Sequence, residues 1–142
     1  MASFGTSKVT LDSKGRFAVP TRFRASIADE CGNRMVITRG RKRELWLLTE
    51  PNWQELRKSV EQLPIANAFR RRVANNCEPV EVDPNGRLLV PAGLREKGLL
   101  PNSTLAFVGA GKHFEVWDWD EHIRDEESEE LDAQASALEF NF

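Results

Sequence analysis

Tyrosine is missing from this chain of 142 residues, and histidine and cysteine occur only twice each. His113 and His122 are the only histidines, and no Cys-x-x-Cys or His-x-x-x-His pair accompanies them, so a zinc site would lack ligands. Cys31 and Cys77 are too few for a disulfide framework, which favours reduced, buried thiols. No apolar run is long enough to span a bilayer, and no signal-peptide pattern opens the chain. A soluble cytoplasmic protein without membrane contact is expected. Gly-x-Ser-x-Gly, a phosphate-cradling loop and a Cys/His pair are all wanting, which argues against an enzyme, a cofactor and a small-molecule substrate.

The chain does contain an internal repeat. Residues 11–24 read LDSKGRFAVPTRFR, and residues 82–95 read VDPNGRLLVPAGLR, 71 positions later. Both keep Asp-x-x-Gly-Arg, then Val-Pro, then Arg. The register continues without a gap: Val9 falls on Val80, Ile37 on Val108, Gly40 on Gly111, Glu44 on Glu115 and Trp46 on Trp117. Units of about half this length are too small to bury a core alone, so the halves are expected to pack on each other.

Charge is distributed unevenly. Positions 118–142 hold ten acids against Arg124, whereas positions 1–43 hold ten Lys or Arg against Asp12, Asp29 and Glu30. Positions 44–117 balance. The basic excess therefore belongs to the first repeat, as in a polyanion-facing surface, and the chain ends in an acidic tail. That tail, residues 125–142, is expected to be mobile, serving either to screen the basic face or merely to solubilise the terminus.

Local patterns fill in the elements. Residues 8–11 alternate as a half-buried strand does. Asp12-Ser13-Lys14-Gly15 and Asp83-Pro84-Asn85-Gly86 are turns, with an aspartate able to cap backbone N–H groups and a glycine for positive φ. Residues 16–19 and 87–90 are the return strands, so each half is expected to open with a β-hairpin. Pro20 and Pro91 then start short helices over 21–27 and 92–97. Two strands close each half, over 35–38 and 44–48, and over 105–109 and 113–117. Trp53, Leu56, Val60 and Leu63 mark an amphipathic linking helix ended by Pro64, and Phe69 and Val73 mark a second one carrying Arg70, Arg71 and Arg72. Trp46 and Trp117 are core residues by their equivalent positions.

Guanidinium groups fit a phosphate or the O6 and N7 acceptors of guanine, and a two-stranded ribbon can enter a major groove. Arg16 and Arg87 either do this or simply pair with Asp12 and Asp83. Asp12, Gly15, Pro20, Asp83, Gly86 and Pro91 recur in both copies, as a shared fold requires. Lys14, Arg22, Arg39, Arg41, Lys42 and Arg43 are basic in the first copy, and only position 41 stays basic in the second, as Lys112. Charge present in one copy alone points to function. Arg24 and Arg95, common to both helices, suit packing or ion pairing, although Arg24 is also a candidate DNA contact.

The two Asp-x-x-Gly-Arg motifs, each leading through Val-Pro to an Arg-bearing helix, resemble the MraZ family of bacterial transcription regulators. Phe4-Gly5, Val108-Gly109, Lys112, Phe114, Glu115 and Trp117-Asp118 match as well, so the resemblance covers about 120 residues. It implies an α+β fold of two tandem AbrB-like swapped-hairpin domains, β-hairpin/short-helix half-barrels packed on each other in one domain. The first repeat with its linking helix would span 1–64 and the second, preceded by its own, 65–124. It also implies a nucleoid-associated repressor that binds double-stranded DNA at direct repeats upstream of the division and cell-wall gene cluster, and a homo-oligomeric ring. The motif arginines Arg16 and Arg87, with Asp12 and Asp83 as companions, would be its DNA contacts, to which Lys14 and Arg22, basic in the first copy alone, and Arg24 are added as candidate contacts. One protomer with three or four phosphate contacts would bind DNA only at about 10⁻⁴ to 10⁻⁶ M. Linking heads in one assembly raises apparent affinity by roughly 10² to 10⁴. A ring-forming scaffold without specific DNA recognition is the alternative.

Overall fold

The computed structural model describes residues 3–97 and 99–128. Most of the acidic tail expected to be mobile lies outside the described residues. The elements are, in chain order, β1 (Ser3–Thr10), β2 (Arg16–Ala18), α1 (Thr21–Cys31), β3 (Arg34–Arg39), β4 (Leu45–Thr49), α2 (Glu50–Glu61) and α3 (Ala68–Asn76). The second half supplies β5 (Glu78–Glu81), β6 (Arg87–Leu89), α4 (Ala92–Arg95), β7 (Thr104–Gly111), β8 (Phe114–Asp118) and α5 (Trp119–Glu127). The fold is α+β. No helix among the described residues is long and apolar enough to cross a membrane.

Both aspartate turns form as their residues dictate. Asp12 N–H donates to Arg16 O at 2.8 Å and Gly15 N–H to Asp12 O at 3.0 Å, with Gly15 at φ 85°. Asp83 and Gly86 repeat these bonds at 2.8 and 2.9 Å. The strands leaving these turns depart from the expected local hairpins. β2 does not return along β1; it pairs antiparallel with its counterpart β6, Phe17 opposite Leu88. β1 pairs instead with β7, from Ser3 opposite Gly111 to Thr10 opposite Thr104, and β5 pairs with β3. The halves thus exchange strands, and a six-stranded antiparallel sheet of order β1-β7-β8-β4-β3-β5 runs through both.

Burial explains the exchange. Crossing β2 with β6 brings Phe17, Val19, Leu88 and Val90 to 1 % exposure or less in one core. There they meet Phe23, Ile37, Leu94, Leu105, Phe107 and Phe114 from both halves. Apolar area removed from water stabilises by roughly 25 cal/mol per Å², and a half alone could not cover these faces. The linking helices close a second cluster: α2 and α3 lay Leu56, Val60 and Val73 on Trp46 and Leu48.

Helix ends shift from expectation. α1 continues past Ile27 to Cys31, where Gly32 takes a left-handed conformation and its N–H reaches Ala28 O. α4 stops at Arg95. Both thiols are free, and both are half-buried rather than buried because they sit at helix ends. Burial raises the pKa of Cys31.

The equivalent tryptophans are core residues, each 4 % exposed and each held by a neighbouring carboxylate. Trp46 Nε1–H donates to Glu44 Oε2 at 3.1 Å, and Trp117 Nε1–H to Glu115 Oε1 at 2.9 Å. His113 stacks on Trp46 and places Nε2 2.9 Å from Glu115 Oε2. The two carboxyls diverge in acidity. Burial, then the charge of Glu115, pushes Glu44 up; burial also acts on Glu115, but the contacts with His113 and Trp117 and the charge of His122 together outweigh it and hold Glu115 down.

Candidate nucleic-acid interface

The β2–β6 ribbon has one buried and one outward face. Phe17 and Leu88 point into the core, while Ala18, Arg87 and Leu89 are exposed and Arg16 is half-exposed. Val19 N–H donates to Gly86 O and Val90 N–H to Gly15 O, both at 2.9 Å. Along an antiparallel ladder hydrogen-bonded pairs alternate with non-bonded ones, whose side chains stand closest. Arg16 opposite Leu89 and Ala18 opposite Arg87 are therefore the close pairs on the outer face.

Arg16 is held in place. Its Nε donates to Asp12 Oδ2 at 3.0 Å, and its backbone N–H donates to Asp12 Oδ1 at 2.9 Å. Lys14 N–H shares that oxygen at 2.9 Å. The backbone bond from Arg16 is the main reason the Asp12 carboxyl is more acidic than usual; partial burial opposes it, and the Arg16 side chain adds to it. An ion pair this exposed adds little stability. Its effect is geometric, since engaging Nε leaves the two terminal nitrogens as a planar fork.

The second copy is built differently. Asp83 Oδ1 accepts from the backbone N–H groups of Asn85 and Arg87, each at 2.9 Å. No described residue fixes the Arg87 guanidinium. The same motif therefore produces one clamped arginine and one unclamped arginine on the same face.

The remaining expected contacts separate. Lys14 is exposed at the first turn. Arg22 is exposed on α1, donates from Nη2 to Ser7 Oγ at 3.0 Å and lies over its neighbour Phe23. Arg24 faces inward across the halves: its Nε donates to Val19 O at 2.8 Å, and its guanidinium lies against Gly86. Arg95 mirrors this with Val90 O at 3.0 Å and Gly15. Each arginine thus braces the aspartate turn of the other half.

The basic segment 39–43 is drawn elsewhere. Lys42 pairs with Asp125, and Arg43 Nε lies 3.9 Å from Glu121 Oε1, so the start of the acidic stretch already meets this loop through α5. Arg72 reaches it from α3, donating to Arg41 O at 2.6 Å, while Arg70 caps Leu63 O at 2.8 Å at the end of α2. Of the three successive arginines only Arg71 is exposed. The residue missed in the sequence is Leu89, half-exposed on the outer face. The 71-residue register pairs it with Ala18, and that mismatch was available as a signal.

Comparison with known proteins bears on the whole of this architecture. A family model described as "MraZ protein, putative antitoxin-like" matches residues 3–77 and again 74–140, one match per half. A protein named transcriptional regulator MraZ from Marinobacter nauticus is 39% identical over 124 residues, covering 82% of either chain. The protein of that name from Chromobacterium violaceum is 37% identical over 128 residues, 85% of this chain and 86% of its own. That from Paraburkholderia phytofirmans is 34% identical over 140 residues, 97% of this chain and 98% of its own. Two aspartate turns crossed through a shared ribbon, two matches to one family model and identity along nearly the full length agree, and the chain belongs to the MraZ family.

Proposed function

We propose that this chain is a sequence-specific double-stranded DNA-binding transcriptional regulator. It acts as a repressor at direct repeats upstream of the division and cell-wall gene cluster, as a homo-oligomeric ring in the cytoplasm and at the nucleoid. The observation that carries the reading is the Arg16 guanidinium, held through Nε by Asp12 on the outward face of a two-stranded ribbon. Its free fork matches guanine O6 and N7, a pairing worth about 1 to 3 kcal/mol of discrimination. The name borne by the relatives supports the same reading.

In this mechanism the ribbon enters the major groove with Arg16 on a base edge, while Lys14 and Arg22 contact phosphates. Arg87 is not preorganised, so it loses more side-chain freedom on binding and contributes less. Arg24 contributes through the fold. Several heads acting together supply the affinity that one lacks.

The test is a titration of the upstream duplex at two salt concentrations, with random duplex as competitor. Arg16→Ala is expected to erase the preference for the upstream duplex while assembly size stays unchanged, and Arg87→Ala to weaken it less. Equal affinity of the wild type for both duplexes refutes specific regulation. No binding at all favours the ring-forming scaffold.

A further inference from the structure

We infer that Leu89 is a specificity-determining residue that reads the 5-methyl group of a thymine adjacent to the guanine taken by Arg16; this rests on the DNA-binding reading above. The fold does not ask for a leucine at this position. Its repeat-equivalent is Ala18, on the same outward face of the same ribbon, and there a methyl group suffices. The inward neighbours Leu88 and Val90 are fully buried, whereas Leu89 keeps 50% of its surface in water. Among the described residues the large apolar side chains that stand exposed are Phe4, Ile65, Leu89 and Ile123, and of these Leu89 alone lies on the ribbon.

Its surroundings select the ligand. Leu89 stands directly across from Arg16 in a close cross-strand pair, and Arg87 lies two positions earlier on the same face. Such pairs hold their Cβ atoms about 4.5 to 5.5 Å apart, comparable to one base step of about 3.4 Å. With Arg16 on a guanine, the leucine side chain reaches the neighbouring pair. The apolar feature a major groove offers there is the thymine methyl. An aliphatic side chain flanked by guanidinium groups suits that edge and no phosphate.

Uracil differs from thymine only by the missing methyl, so the experiment scans the upstream duplex with single uracil replacements. Wild-type affinity is expected to fall about fourfold at a thymine beside a guanine in each box, the weight of one methyl removed from water. Leu89→Ala is expected to bind the thymine duplex as weakly as the wild type binds the uracil duplex, and to ignore the replacement. It keeps its preference over random duplex, which rests on Arg16, and Leu89→Met restores the thymine effect. Indifference of the wild type to uracil throughout, or a thymine effect that survives in Leu89→Ala, overturns the inference and leaves the regulator reading intact. A changed assembly size of Leu89→Ala by light scattering also overturns it, making the residue a subunit contact. A wild type that does not distinguish the upstream duplex from random removes the reading beneath it.

Discussion

Gly86→Ala tests the brace between the halves. Gly86 sits at φ 79°, where a side chain costs about 1 kcal/mol. A Cβ added there would lie 2.4 Å from Arg24 Cζ, well inside van der Waals contact, so the guanidinium has to retreat by about 1 Å. That movement breaks the 2.8 Å bond from Arg24 Nε to Val19 O, a charge-assisted bond worth about 1.5 kcal/mol at a half-exposed site. The expected total is about 2 to 3 kcal/mol. Urea titration at fixed protein concentration measures it, because assembly would otherwise shift the apparent midpoint. Arg24→Ala alone is expected to cost about 1.5 kcal/mol. In the double variant the clash disappears and the lost bond is counted once, so the combined cost falls below the sum of the singles by about 1.5 kcal/mol. Additivity within about 0.3 kcal/mol, or a Gly86→Ala chain as stable as the wild type, refutes the brace. So does an Arg24→Ala chain of unchanged stability that has lost its DNA affinity.

Two further substitutions probe regions outside the ribbon. Glu44 has a raised pKa, so its protonated form is favoured in the fold: its contribution is fully present below the ordinary glutamate value of about 4.3 and is lost as pH rises through the higher folded value. The stability deficit of Glu44→Gln is therefore expected to shrink as pH rises from 4 to 8, read from urea midpoints, and a pH-independent difference contradicts this. Arg72→Ala is expected to cost about 1 to 3 kcal/mol, because it leaves the Arg41 carbonyl without its donor. Exposed Arg71→Ala should stay within about 0.5 kcal/mol in the same melts; equal losses contradict the assignment.

The aspartate turns, the repeat register and the core tryptophans were legible because each is written in local chemistry or in spacing. Strand partners were not legible in the local pattern, and only the resemblance to swapped-hairpin domains implied an exchange. Alternation in residues 16–19 says which side chains face inward, and it is satisfied equally by β1 and by β6. The choice depended on joining Phe17 with Leu88 and Val19 with Val90, a matter of total burial across the chain. The site divides in the same way. An arginine four positions after an aspartate announces a pair, yet Arg16 makes it and Arg87 does not, and Arg24 becomes a brace only because Gly86 is folded against it.

The pairing of β1 with β7 also orders events during synthesis. Ser3–Thr10 is made first, and its partner Thr104–Gly111 emerges about a hundred residues later. At about 5 to 20 residues per second this is a delay of roughly 5 to 20 s. Throughout it the ribosome carries a first half whose sheet lacks strands between β1 and β4, and until Arg87–Leu89 is made there is no β6 for Phe17 to meet. The nascent chain waits for its own second copy, and a neighbouring nascent chain displaying the same sequence could supply that copy instead. Spacing between ribosomes on one message then becomes a condition for each chain to close on itself.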